Sequence, residues 1–167
     1  MTSRPSPIVA LYPGSFDPLT RGHEDIARRG LRVADRLIIA VARTATHVKR
    51  GLFGVEERVE LIQEVFHDED RVEATSFEGL LVDFATARGA SLVIRGLRAV
   101  SDFEYELQMA QMNHELSDDV ETIFLVPEAK NSFLSSSLVR EVASLGGDVT
   151  SFVSPSVLRR LTTKLSE

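Results

Sequence analysis

Residues Tyr12-Pro13-Gly14-Ser15-Phe16-Asp17-Pro18-Leu19-Thr20-Arg21-Gly22-His23 have the composition of an anion seat. They follow the apolar run 8–11, which reads as a buried strand, and lead into residues 25–31, which read as a helix. Glycines let a ligand approach the backbone, and the first N–H groups of a helix point at an anion. His23, at the mouth of that helix, can add a hydrogen bond or a positive charge where a phosphoryl group would sit. Asp17 reads as the residue that ties the turn together through its own backbone. A lone Gly-x-His would be only a tight turn before a surface histidine; the whole run is far more specific.

Three more segments carry cations or hydroxyls. Residues 43–54 hold His47, Lys49 and Arg50; Ile94-Arg95-Gly96-Leu97-Arg98 sets two guanidiniums around one glycine; Lys130-Asn131-Ser132-Phe133-Leu134-Ser135-Ser136-Ser137 is a hydroxyl-rich helix start. Singly, each reads as a solvated surface pair or an ordinary cap. Brought to one edge of one sheet, they suit a polyphosphate and a second anionic group.

The periodicity of the chain predicts that they are brought there. Apolar runs at 8–11, 37–42, 91–94 and 122–126, with a more polar one at 71–76, alternate with helical spacing at 55–66, 80–88, from 101 to about 114, at 136–144 and from 155 onward. Ser101-Asp102-Phe103-Glu104 reads as a capping box, Gly89 as a C-cap, and Ser154-Pro155 as an N-cap with proline in the first turn. The order β-α-β-α-β-α-β-α-β-α-α with fully apolar strands predicts an α/β fold: a Rossmann-like, doubly wound, parallel five-stranded sheet with helices on both faces. In such sheets ligands bind beyond the carboxyl ends of the strands, where the segments at 13–22, 43–54, 95–101 and 127–135 fall.

With 167 residues the chain is read as one domain at 8–167 after a flexible tail at 1–7. It has no cysteine, so thiolate catalysis and disulfides are excluded. No leader or membrane-spanning run is evident, and a cytoplasmic setting is expected. A net charge of −6 argues against bulk nucleic-acid binding. The sequence lacks the Gly-x-x-x-x-Gly-Lys-Ser/Thr phosphate loop, the Gly-x-Gly-x-x-Gly fingerprint, the Gly-x-Ser-x-Gly elbow and any catalytic zinc spacing.

Three motifs carry a resemblance. Thr20-Arg21-Gly22-His23 resembles the Thr/His-x-Gly-His signature of the nucleotidylyltransferase superfamily. Ser135-Ser136-Ser137-Leu138-Val139-Arg140 resembles its serine-rich helix start ending in a base. Ile94-Arg95-Gly96-Leu97-Arg98-Ala99-Val100-Ser101-Asp102-Phe103-Glu104-Tyr105-Glu106 is similar to a marker of the bacterial phosphopantetheine adenylyltransferases. The resemblance extends over residues 8–165. It implies adenylyl transfer from ATP to 4′-phosphopantetheine, giving dephospho-coenzyme A and pyrophosphate in coenzyme A synthesis. It further implies Mg²⁺ bound with the ATP, a homohexamer, and no membrane partner.

By motif position, Ser15 and Phe16 would touch the nucleotide, with Ser15 bordering the acceptor as well. His23 would stabilise the transition state. Lys49, with Arg50 as its rival, and Arg95 would hold the acceptor phosphate, and Leu81 would line the pantetheine arm. Gly96, Leu97, Arg98 and Glu106 would hold adenosine and triphosphate, with Asn131, Ser132, Phe133, Leu134, Ser135, Ser136 and Ser137 on the other side. Asn131 stands where relatives often carry an aromatic. Because an acceptor phosphate is already anionic, this chemistry needs no general base. Two alternatives remain: another nucleotidylyltransferase, such as one acting on nicotinamide mononucleotide, or a non-catalytic nucleotide-sensing domain. An acidic interaction module is a third and weaker reading.

Overall fold

Residues 37–41 are apolar without alternation, and all five are buried, as a strand covered on both faces requires. The computed structural model describes residues 6–43 and 51–166. Its strands are β1 (Val9–Gly14), β2 (Arg36–Ala42), β3 (Val72–Phe77), β4 (Leu92–Gly96) and β5 (Glu121–Leu125). Its helices are α1 (Arg21–Gly30), α2 (Val55–Val65), α3 (Leu81–Ala87), α4 (Val100–Leu116), α5 (Ser136–Ser144) and α6 (Pro155–Leu165). The strands form one sheet in the order β3-β2-β1-β4-β5, with every pairing parallel.

Alternate residues of each strand serve different cores. Ala10, Tyr12, Leu37, Ile39, Val41 and Ile94 point into the larger one, against Ile26 and Ala27 of α1, Leu61 and Ile62 of α2, Val139 of α5, and Val157 and Leu161 of α6. Leu11, Ile38 and Val93 face the other side, against Ala85 of α3, with Ala90 and Val120. Each fully buried leucine or isoleucine contributes about 1.5–3 kcal/mol relative to exposure.

Two helix starts differ from the sequence expectation. α1 begins at Arg21, four residues earlier, because Thr20 caps it: the Thr20 hydroxyl accepts from the His23 N–H, and the His23 ring accepts from the Thr20 N–H. This is a capping box with histidine in the place usually held by glutamate or glutamine. α4 begins at Val100 with Ala99 as N-cap, so Ser101 lies inside the first turn rather than ahead of it. The extended backbone of Ala99 starts the helix without a side-chain cap, and Asp102 brings negative charge to its first turn.

Candidate active site

The strand order reverses between β1 and β4, and there the carboxyl ends of the two strands part around a cavity of about 300 Å³. Its lining brings together Ser15, Phe16, His23, Arg95, Gly96, Arg98, Glu106, Asn131, Leu134, Ser135, Ser136 and Ser137, twelve positions singled out from the sequence. Leu97, Ser132, Phe133 and Leu81 lie elsewhere. Leu97 is tied by its N–H to the Leu125 carbonyl, and the Ser132 hydroxyl donates to Ala129. The exposed Phe133 ring meets Phe152 edge-on, and Leu81 packs on the smaller core. His47, Lys49 and Arg50 lie outside the described residues.

His23 is held on two sides. Its Nδ1 accepts from the Thr20 N–H at 3.0 Å, and the Phe16 ring stands edge-on to it with centroids 5.1 Å apart. A backbone N–H can only donate, so Nδ1 is unprotonated and the neutral ring carries its proton on Nε2. Burial, with the charges of Arg98 and Arg95 nearby, pulls this imidazole down to about 4. At neutral pH the site therefore offers a hydrogen-bond donor rather than the positive charge the sequence also allowed. The Phe16 ring is only 2% exposed and lies so close over Gly14 that a Cβ there would meet it at 2.9 Å. It reaches that position because the Phe16 backbone is left-handed, with φ of 46°.

Arg95 of β4 and Arg98 just beyond it each have a carboxylate on α4. Arg95 donates to both oxygens of Glu106, at 2.8 and 2.6 Å, and to the Pro13 carbonyl at 2.7 Å. Burial works against its charge, but Glu106 outweighs that and raises its hold on the proton. Arg98 donates to Asp102 at 3.2 Å and to the Leu134 carbonyl at 2.8 Å, joining the end of β4 to the segment before α5. Asp102 and Glu106, one helical turn apart, thus steady two arginines on one wall. Glu106 meets Arg95 here, a contact its motif position alone did not indicate.

Carbonyls of the first loop are taken up one after another: Pro13 by Arg95, Ser15 by Arg58, Asp17 by Arg140, and Pro18 by the Ser136 hydroxyl. Ser135 caps α5 by accepting from the Leu138 N–H, so a second helix N-terminus opens on the cavity. Asp17 does not tie its own turn. Its carboxylate accepts from the N–H groups of Leu52 and Phe53, 35 and 36 residues away. The sequence reading also missed Tyr12, Thr20 and Asp102 as lining residues, although all three lie within the quoted motifs.

Two helix N-termini, a neutral histidine donor and two arginines around one cavity at a sheet reversal form a site for polyphosphate chemistry. A family model described as cytidylyltransferase-like matches residues 11–142, most of the chain, and gives the class. A phosphopantetheine adenylyltransferase of Alkalilimnicola ehrlichii is 55% identical over 159 residues, covering 95% of this chain and 91% of that protein. Another, of Thiobacillus denitrificans, is 51% identical over 160 residues, covering 96% and 99%. Among solved structures, a Vibrio parahaemolyticus protein assigned as a nicotinate-nucleotide adenylyltransferase superposes with a TM-score of 0.72, covering 95% of this chain and 94% of that one. At 15% identity that likeness is one of fold. Within the cytidylyltransferase-like class, the chain belongs to the phosphopantetheine adenylyltransferase family.

Proposed function

We propose that this chain transfers the adenylyl group of ATP to 4′-phosphopantetheine, giving dephospho-coenzyme A and pyrophosphate, and runs the reverse reaction from the same site. The observation that carries the reading is the neutral His23, its Nδ1 tied back to Thr20, in a cavity it shares with Arg95 and Arg98. An oxygen of the acceptor phosphate attacks the α-phosphorus; the bond from that phosphorus to the bridging oxygen breaks, and pyrophosphate leaves with the electron pair. His23 Nε2–H donates to an α-phosphate oxygen as charge gathers there, Arg95 holds the acceptor phosphate, and Arg98 with the α5 N-terminus holds the triphosphate. Lys49 is assigned to the acceptor phosphate by its motif position.

Among the described residues no three carboxylates or histidines cluster to hold a metal, and Asp102 and Glu106 are each engaged by an arginine. That donor set suits Mg²⁺ arriving on the nucleotide, where it neutralises phosphate charge when bound. The same reading carries a cytoplasmic location, coenzyme A as a further ligand, no nucleic-acid or membrane partner, and a homohexamer. For the assembly, α4 leaves Tyr105, Met109, Met112 and Leu116 exposed along one face and Phe103 and Leu107 on the opposite one, apolar surface for further copies of the chain to cover.

The test is pyrophosphate release from MgATP, with 4′-phosphopantetheine and nicotinamide mononucleotide as separate acceptors. Turnover with phosphopantetheine alone is expected. Turnover with the mononucleotide would overturn the acceptor, and ATP binding without turnover would make the chain a sensing domain.

A further inference from the structure

Asp17 is 4% exposed, and the reaction described above uses neither its charge nor a proton of its own. It is nevertheless surrounded by a built node. Its Oδ2 accepts from the Leu52 N–H and its Oδ1 from the Phe53 N–H, both at 2.9 Å. Arg58 Nε lies 3.6 Å from Oδ1, and Arg140 Nη1 lies 3.5 Å from Oδ2. Both guanidiniums reach further: Arg58 donates to the carbonyls of Ser15 and Phe53, at 3.2 and 2.8 Å, and Arg140 to that of Asp17 itself. Gly51 closes the node, since a Cβ on it would come within 2.6 Å of Asp17 Oδ2. The first loop, segment 51–53, α2 and α5 are thus fastened at one buried carboxylate.

We propose that Asp17 is a positioning residue of the active site: it sets the distance between the loop bearing Ser15 and Phe16 and segment 51–53, and so registers the acceptor side against the nucleotide side. The inference rests on the adenylyltransferase reading above. The asymmetry of the bonding gives it direction. The nucleotide wall has ties that bypass Asp17, from Ser136 to Pro18 and from Arg98 to Leu134. On the acceptor side Arg58 also joins the carbonyls of Phe53 and Ser15, but its own countercharge is Asp17; the N–H groups of Leu52 and Phe53 are bonded to Asp17 directly, and Leu52 stands three residues after Lys49 in the chain. Loss of the carboxylate therefore loosens the acceptor side first. An amide of the same shape can accept from one of those N–H groups but turns an NH₂ toward the other, and it leaves Arg58 and Arg140 without their countercharge.

The experiment compares the wild-type chain with Asp17→Asn and Arg140→Gln, varying phosphopantetheine and MgATP separately. For Asp17→Asn, loss of charge-assisted hydrogen bonds should raise KM for phosphopantetheine about 10- to 100-fold, with KM for ATP within about threefold of wild type. Arg140→Gln, at a partly exposed position, should give the same split at about threefold. A role in folding alone would lower kcat through the active fraction and leave both KM values in place; that result, or an equal rise in both, overturns the proposal. If Asp17→Asn does not fold, the KM split in Arg140→Gln decides. Amide exchange gives an answer independent of turnover. The peptide spanning 51–54 should exchange about tenfold faster in the folded variants, while that spanning 92–96 should not change. Unchanged exchange at 51–54 overturns the positioning role, whereas a wild-type chain inactive with phosphopantetheine overturns only the adenylyltransferase reading.

Discussion

Arg95 and Arg58 are both arginines held by a carboxylate near the same loop, yet the Arg95 side chain is 30% exposed and that of Arg58 only 10%. Arg95 reaches Glu106 across the cavity wall, where an incoming phosphate can compete for the guanidinium. Arg58 sits behind the first loop, closed off by Asp17, Ser15 and Phe53. The two pairs share a chemistry and differ in access to water and ligand. An accessible pair can exchange its anion, whereas opening a buried one leaves an uncompensated charge. One arginine is available for binding; the other holds the binding surface in shape.

The comparison sets an order of expected effects. His23→Ala, on the accessible side, should lower kcat by on the order of 10²–10³, and loss of its bond to the Thr20 N–H should lower stability by about 0.5–2 kcal/mol in urea titration. A kcat close to wild type would remove His23 from the transition state. Arg95→Ala should raise KM for the acceptor by about 10- to 100-fold, as for loss of a charged hydrogen-bond partner. An effect confined to stability would place Arg95 with Arg58 rather than opposite it.

On the closed side, Gly51→Ala should destabilise the fold by about 1–3 kcal/mol in urea titration, since the added carbon overpacks the node. Its Cβ would lie 2.1 Å from Arg58 Nη2. A neutral outcome would mean that the node yields easily. The smallest effect concerns pH. With His23 lowered to about 4 in the folded chain, its contribution to stability is fully present above its ordinary value and is lost as pH falls from about 6.5 toward 4. The difference in urea midpoint between wild type and His23→Gln should be flat from pH 8 to 7 and drift below that. No drift down to pH 4 would mean that the ring titrates alike in the folded and unfolded chain and is far more hydrated than its setting implies.

The fold was legible in the sequence because its signals are local. Unbroken apolar runs such as 37–41, the glycine after α3 and Pro155 at the start of α6 each act within a few residues. The lining of the cavity was legible for the same reason, since Ser15, His23, Arg95 and Ser135–Ser137 lie in contiguous motifs at strand ends. What could not be read was partnership over distance. Asp17 has the composition of a turn residue, and only the folded chain brings Leu52 and Phe53 to it. The shared motif assigns Glu106 to the nucleotide, and nothing local in the sequence marks the bond its carboxylate makes with Arg95. Arg58 carries no local signal: it sits on a helix among glutamates and becomes distinctive only through burial. Ser101 shows the converse, a strong local pattern that lost to the extended backbone of Ala99 two residues earlier.

The four bonded carbonyls of the first loop, at Pro13, Ser15, Asp17 and Pro18, also bear on the entropy of binding. A loop restrained at that spacing keeps few conformations to lose when a nucleotide arrives. Fixing a residue that was free would cost about 1–2 kcal/mol. Here that cost was met when the chain folded, and the ligand encounters a surface already in place. The free energy of phosphate contact is then left to orient the two anions toward each other.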